Sequence, residues 1–312
     1  MNKVSVLIFD GHNALWRASI KYGKPITHEL CSVKYHTEKH MTDIHCACGA
    51  PWDEINNICF GNKYFLVYNF FKNLKPIIEK FKPDKCFFVL EGFPQFRHDL
   101  YPEYKANRFV KTASSNPSNQ IKFESFHEQK NIVIDLLKYL PITVCKANDY
   151  EADDVISSLC EDMKNEQLTI VSNDSDFIQL LQRGYDFIQI YNPIKKEFMI
   201  APEYPYVAWK ALNGDKSDNI KSILTPAKAL KTINNPSLFK AFLNKNEENK
   251  YLFNVNKRLI EFAHVNLSNL VIYENDINYD KLKHLLNEMR FHSITNETSW
   301  NKFIDVFNCL NI

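Results

Sequence analysis

VSVLIFD, residues 4–10, is an apolar run of strand length that stops on an acid, Asp10. Two later runs have the same build: CFFVLE ends at Glu91 and LTIVSND at Asp174. Short runs rich in β-branched and aromatic residues read as strands buried in a parallel sheet. In open α/β sheets, ligands gather beyond the carboxyl ends of such strands. These acids are therefore expected to converge with three further groups: Glu151/Asp153/Asp154, Asp176 beside Asp174, and Asp215/Asp218. So many carboxylates repel one another unless cations neutralise them. An all-oxygen ligand set suits Mg²⁺ or Mn²⁺.

With 312 residues, 45% of them apolar, the chain can bury a sizeable core and is globular rather than disordered. Its net charge of +1 conceals an asymmetry. Setting the nine clustered acids aside leaves 28 Asp and Glu against 38 Lys and Arg, an excess of ten positive charges. An acidic pit in a basic surround suits a polyanionic substrate; an ordinary balanced surface is the plain alternative. No apolar stretch approaches the roughly 18 residues of a membrane span, and VSVLIF is too short for a signal peptide. The expectation is an intracellular protein of the cytoplasm (the host's, if phage-encoded) with no membrane contact. Its eight Cys are then thiols or metal ligands rather than disulfides.

Along the chain, Gly11-His12-Asn13 reads as a turn and Ala14–Ile20 as the opening of a helix. Phe65, Tyr68, Phe71, Leu74 and Ile78 recur at helical spacing and predict a helix over Tyr64–Phe81. Strands follow at Cys86–Leu90, Ile142–Cys145 and Leu168–Ser172, with helices at Ile132–Leu140 and Glu151–Met163. This alternation predicts an α/β domain over 1–204. It is interrupted by a polar, Cys/His-rich insertion at 22–60 and an exposed basic excursion at 95–130. Residues 205–312 read as helical, with no strand.

Each motif has a plainer reading when taken alone. Asp10-Gly11 after a strand is often only a turn. Three acids in Glu151-Ala-Asp153-Asp154 could serve the helix dipole, although one acid would do that. Asp174-Ser-Asp176 could be an exposed Asx-turn; two acids two residues apart after a strand can also face one cation. Asp215 and Asp218 share a tight turn between helices. In the insertion, Cys31, His45, Cys46, Cys48 and Cys59 could supply a tetrahedral zinc site. Cys-Ala-Cys departs from the usual Cys-x₂-Cys spacing, and thiols packed as small hydrophobes are the alternative.

In order, DGHN, FVLEGFPQFRHDLYPEYKANR, EADD, SNDSDF and NGDKSDNI resemble the 5′-nuclease superfamily over residues 4–20 and about 64–235. That superfamily takes in phage 5′-exonucleases, the phage ribonuclease H type, flap endonucleases and the 5′-nuclease domain of bacterial DNA polymerase I. The resemblance implies a PIN-like parallel sheet flanked by helices. A helical, DNA-binding C-terminal region with a helix-hairpin-helix-like element would follow, and 95–130 would form an arch-like segment. It implies two Mg²⁺ ions, with Mn²⁺ as a substitute. Asp10, Glu91, Glu151, Asp153 and Asp154 would serve the first ion; Asp174, Asp176 and Asp218, with Asp215 nearby, the second. Lys105 would contact the scissile phosphate and Arg108 the neighbouring backbone. Tyr104 would stack on an unpaired base, with Arg97 preceding this DNA-binding signature.

Three departures stand out. Glu91 replaces the family's usual Asp. The hairpin after Asp218-Asn219 has Ser222 and Thr225 in place of glycines, so Lys221, Lys228 and Lys231 would have to supply phosphate contacts. Residues 22–60 have no counterpart. The resemblance implies a monomeric 5′→3′ exonuclease and flap endonuclease acting by a two-metal mechanism on DNA with 5′ ends or flaps. RNA–DNA hybrids such as replication primers would be further substrates, and a polymerase or a single-strand-binding protein would be partners. A PIN-like ribonuclease for single-stranded RNA is the rival enzyme. A catalytically silent nucleic-acid-binding module is the rival of another class.

Overall fold

Each long apolar run becomes a strand, as its β-branched and aromatic content requires. The computed structural model describes residues 3–19, 52–53, 58–59, 64–107 and 117–310. Its strands are β1 (Ser5–Asp10), β2 (Trp52–Asp53), β3 (Ile58–Cys59), β4 (Lys85–Leu90), β5 (Thr143–Lys146), β6 (Gln167–Val171), β7 (Ile188–Asn192), β8 (Glu197–Phe198) and β9 (Val271–Ile272). β2 and β3 pair antiparallel by themselves. The chain divides into two compact units.

The first unit comprises Met1–Phe88, Ser118–Cys145 and Ile272–Ile312. Its strand order is β1-β4-β5-β9. Val6, Leu7 and Ile8 of β1 are all fully buried, which accounts for the unbroken apolar run. Helix Phe65–Phe81 turns Leu66, Phe70, Phe71, Leu74 and Ile78 inward. It stops at Lys82, whose left-handed backbone lets its N–H reach the Ile78 carbonyl. The C-terminal segment returns to this unit: the Tyr273 N–H donates to the Val144 carbonyl at 2.9 Å, and Phe303 packs on Phe71.

The second unit comprises Val89–Pro117 and Lys146–Val271, with strand order β8-β7-β6. β6 and β7 run parallel, with Leu168 opposite Ile188 and Val171 opposite Tyr191. Helices Tyr206–Asn213, Pro226–Ile233, Pro236–Asn244 and Glu247–Ile260 surround a cluster that includes Tyr104, Leu212, Ile220, Ala229, Phe253 and Leu259.

Several expectations are corrected. No turn separates β1 from its helix, because Gly11–Ser19 is helical from the residue after Asp10. Segment 95–130 is not one exposed excursion. Gln95–Leu100 is a helix with Arg97 buried, and Pro117–Leu137 is a continuous helix that absorbs most of the one expected at 132–140. The sheet is not wholly parallel, since β8 runs antiparallel to β7. The C-terminal region carries β9. The division expected at 204/205 falls inside the second unit. Among the described residues, no helix is long and apolar enough to cross a membrane.

Candidate active site of carboxylates and buried cations

In the first unit, Asp10 ends β1, is buried, and accepts the Asn13 N–H at 3.0 Å. It therefore caps the helix that follows it. The remaining acids belong to the second unit. Glu91 follows β4 and accepts the Ala152 N–H at 3.0 Å, tying the strand end to the first turn of helix Ala152–Asp162. The longer Glu side chain at this position is thus in use. Asp153 is half-buried on the same turn.

Asp154 points the other way. It is fully buried, and Arg97 grips both of its oxygens, at 2.5 Å and 2.8 Å. The Ala263 N–H donates to the same carboxylate at 2.7 Å. Arg97 also donates to the Leu259 and Glu261 carbonyls, at 2.9 Å and 3.1 Å. With 2% of its surface exposed, Arg97 cannot meet DNA, and Asp154 has no oxygen left over for a metal. Both expectations are corrected: the pair ties the 95–100 helix to the start of the Ala152–Asp162 helix and to the end of Glu247–Ile260.

Tyr104 is likewise buried rather than open to a base. Its hydroxyl donates towards Glu151 at 3.0 Å and lies 3.3 Å from Asp218. Burial, then the charges of Glu151 and Asp218, push that phenol far above its ordinary range. Beside it, the Lys105 ammonium contacts Glu151 and lies 3.8 Å from Asp218. The Lys105 N–H donates to the Asp218 carbonyl at 3.0 Å, from a backbone with φ of 55°. Burial alone would raise the Glu151 carboxyl; Lys105 and Arg97 outweigh it and hold Glu151 below its ordinary value.

Two of the other acids, Asp176 and Asp215, share a second lysine. One carboxylate oxygen each from Asp176, Asp215 and Asp218 lie within 4.8 Å of one another. Asp174 is exposed two residues earlier and accepts the Asp176 N–H at 2.9 Å, shaping the short 3-10 turn Ser175–Phe177. Asp215 and Asp218 sit in a closed turn: Asp215 and Ile220 exchange two backbone hydrogen bonds, and Asp215 accepts the Ser217 N–H and hydroxyl. Lys210, on helix Tyr206–Asn213, contacts Asp176 and reaches Asp215 at 2.8 Å. Burial, with Asp174 adding to it, holds Asp176 above the usual carboxylate range despite this lysine. At Asp215 the lysine and Ser217 outweigh burial and bring the carboxyl down to about 2.

Sequence reasoning missed Lys210 and Tyr206, whose hydroxyl donates to Asp176 at 3.0 Å. A signal existed: in YVAWKAL a single lysine interrupts an apolar helix and needs a buried anion as its partner. The donor set fits divalent cations, because each ammonium here stands between carboxylates where such a cation would find oxygen ligands. Lys221, Lys228 and Lys231 are exposed after the turn. Between the helices, the Ile223 and Leu224 N–H groups both donate to the Leu212 carbonyl at 2.9 Å, so this loop is held together internally without the expected glycines. Arg108, Cys31, His45, Cys46 and Cys48 lie outside the described residues, as does the side chain of Cys59.

An α/β frame with acids at its strand ends and helix starts has the fold of the 5′ nucleases. The chain belongs to the 5′-3′ exonuclease family: the model of that family's N-terminal, resolvase-like domain matches residues 5–205. It is 29% identical over 171 residues to a thermostable DNA polymerase I of Thermus filiformis, covering 52% of this chain and 19% of that one. It is 30% identical over 171 residues to a 5′-3′ exonuclease of Buchnera aphidicola subsp. Schizaphis graminum, covering 50% and 54%. The chain thus spans under a fifth of the polymerase's length and about half of the exonuclease's. Among solved structures it resembles the bacteriophage T5 flap endonuclease in a complex with DNA and metal ions (TM-score 0.57, 15% identity, 97% of this chain and 98% of that one). Human GEN1 in complex with Holliday junction DNA is similar too (TM-score 0.54, 13% identity, 97% and 71%). At such identities these two likenesses establish the fold.

Proposed function

We propose that the chain is a Mg²⁺-dependent, structure-directed 5′→3′ exonuclease and flap endonuclease. Its substrates would be DNA with 5′ ends or flaps and RNA–DNA hybrids, including the primers left by replication. The observation that carries this reading is the meeting of Asp176, Asp215 and Asp218, the first two of them held by the buried Lys210 ammonium. Glu91, Glu151 and Asp153 would serve a first cation, and Asp176, Asp215 and Asp218, with Asp174 alongside, a second. When bound, two Mg²⁺ or Mn²⁺ ions supply phosphate polarisation, an activated water and stabilisation of the leaving oxygen. Lys105, seated between Glu151 and Asp218, orients the scissile phosphate, which a group at the reacting centre does better than one that merely attracts. Exposed Lys221, Lys228 and Lys231 hold the duplex backbone. The names of the relatives support the reading, since they include DNA polymerase I, a 5′-3′ exonuclease and a flap endonuclease. A replicative polymerase is the protein partner this implies.

The test sets labelled nick, 5′-flap, RNA–DNA hybrid and single-stranded RNA substrates side by side, with Mg²⁺ and with EDTA. Cleavage of the first three from the 5′ side, lost in EDTA, is expected. Preference for single-stranded RNA would favour a PIN-like ribonuclease, and binding with no cleavage of any substrate a silent binding module.

A further inference from the structure

Lys210 carries more than a place among the acids. It is the one cation in YVAWKAL, its side chain is 9% exposed, and it sits on a helix whose neighbours Ala211 and Leu212 are fully buried. Its ammonium lies against Asp176 and 2.8 Å from Asp215, two of the three carboxylates whose oxygens cluster within 4.8 Å. Asp176 Oδ1, which takes the lysine, also accepts the Tyr206 hydroxyl at 3.0 Å. A small divalent ion needs carboxylate oxygens at roughly 2.0–2.6 Å, depending on the ion. An ammonium resting on two of these carboxylates competes for that space and already neutralises one charge of the cluster.

We propose that Lys210 is a built-in counter-cation that a divalent ion must displace from Asp176 and Asp215, so that this lysine sets the affinity of the metal site. The inference rests on the metal reading above. Because ammonium and metal compete for the same two carboxylates, the lysine weakens the metal by as much as the metal weakens the lysine's hold. In the metal-free protein Lys210 holds Asp176 and Asp215, two of the three crowded carboxylates, together. In the loaded protein it must leave a largely apolar setting for water or for a phosphate oxygen.

The test is a calorimetric titration of the intact protein with Ca²⁺, and separately with Mg²⁺, without nucleic acid. Wild type is compared with Lys210→Met, Lys210→Gln and Lys210→Arg. Removing a charge this close to two ligands predicts binding about ten-fold tighter or more in the Met and Gln variants. Arg keeps the charge and should stay within about two-fold of wild type. The rise in Tm on adding Ca²⁺ should also be larger for the two neutral variants than for wild type. Met and Gln affinities equal to or weaker than wild type would overturn the inference while leaving the metal reading intact. Failure of every form to bind a divalent ion would overturn both. Should neither neutral variant fold, wild type carries the test. The ¹⁵N-lysine signal of the Lys210 ammonium, identified by its loss in Lys210→Arg, should be protected without metal and vanish at saturating Ca²⁺; its persistence would refute displacement.

Discussion

Arg97 shows how far a side chain's role depends on where the fold puts it. A basic residue beside a family signature is expected on the surface, yet it is buried with both oxygens of Asp154 in its grip. Removing one partner of a buried pair leaves an uncompensated charge, so Arg97→Met should cost about 3–5 kcal/mol in urea unfolding. The double variant Arg97→Met/Asp154→Leu should recover much of that loss; a double variant no more stable than the single one would show that the pair contributes more than charge balance. Glu151 behaves differently because its partners hold it ionised. Its carboxyl lies below its ordinary value of 4.5, Lys105 and Arg97 having outweighed burial. Metal-free protein therefore draws stability from Glu151 above pH 4.5 and loses it as pH falls through the lowered value. Unfolding midpoints measured between pH 6 and pH 3 should drop less steeply for Glu151→Gln than for wild type. Asp176 tests the chemistry: Asp176→Asn should fold, bind a 5′-flap as well as wild type or better, and fail to cut it in Mg²⁺. Near-normal cleavage by this variant would remove Asp176 from the metal set.

Two glycines decide whether the elements carrying these acids can close. Gly92 lies between Glu91 and the 147–150 loop, where an added Cβ would come within 1.9 Å of the Ala147 carbonyl and 2.5 Å of the Asn148 carbonyl. Both obstacles are backbone, so Gly92→Ala must push β4's end away from the helix that starts with Glu151. A loss of about 1–3 kcal/mol is expected, together with weaker divalent binding, because Glu91 can then no longer reach the Ala152 N–H. Stability and metal affinity both at wild-type level would show that the close approach is dispensable. Gly214, with φ of 74°, closes the turn that holds Asp215 and Asp218 in the same way. What the sequence reveals about such elements follows from burial. β1, β4 and β6 are legible because their residues past the first are mostly buried and mostly apolar. β7 escapes notice because Gln189 faces outward and breaks the run, and β8 because it is two exposed residues long. Helix Pro117–Leu137 is hidden because its first half, PSNQIKFESFHEQ, shows no apolar stripe. The acids are legible as a set, but Asp154's use in holding Arg97 is not, since it depends on Leu259, Glu261 and Ala263, over a hundred residues away.

Charge distributed along the entire chain bears on the substrate more directly than any single contact. With the nine clustered acids set aside, ten positive charges are in excess, and a net charge of +1 hides them. Buried Arg97 and Lys210 and half-buried Lys105 are committed to acids rather than to steering. Exposed lysines are available, and Lys221, Lys228 and Lys231 follow directly on the turn that carries Asp215 and Asp218. The loop between them spends its Ile223 and Leu224 N–H groups on the Leu212 carbonyl, so duplex contact there falls to side chains rather than backbone. Lysines that neutralise phosphates release counterions and leave a signature in salt. On duplex DNA, the slope of log affinity against log salt should fall by roughly 0.9 for every phosphate that no longer has its lysine. Replacing all three lysines by Ala should therefore flatten the slope by about 2–3 for a 5′-flap substrate bound in Ca²⁺, with Tm unchanged. Lys105→Ala should lower the single-turnover cleavage rate far more than affinity, since that lysine orients rather than attracts. A triple variant with the wild-type slope would mean that this stretch does not meet the phosphate backbone, and that the basic excess acts through other residues.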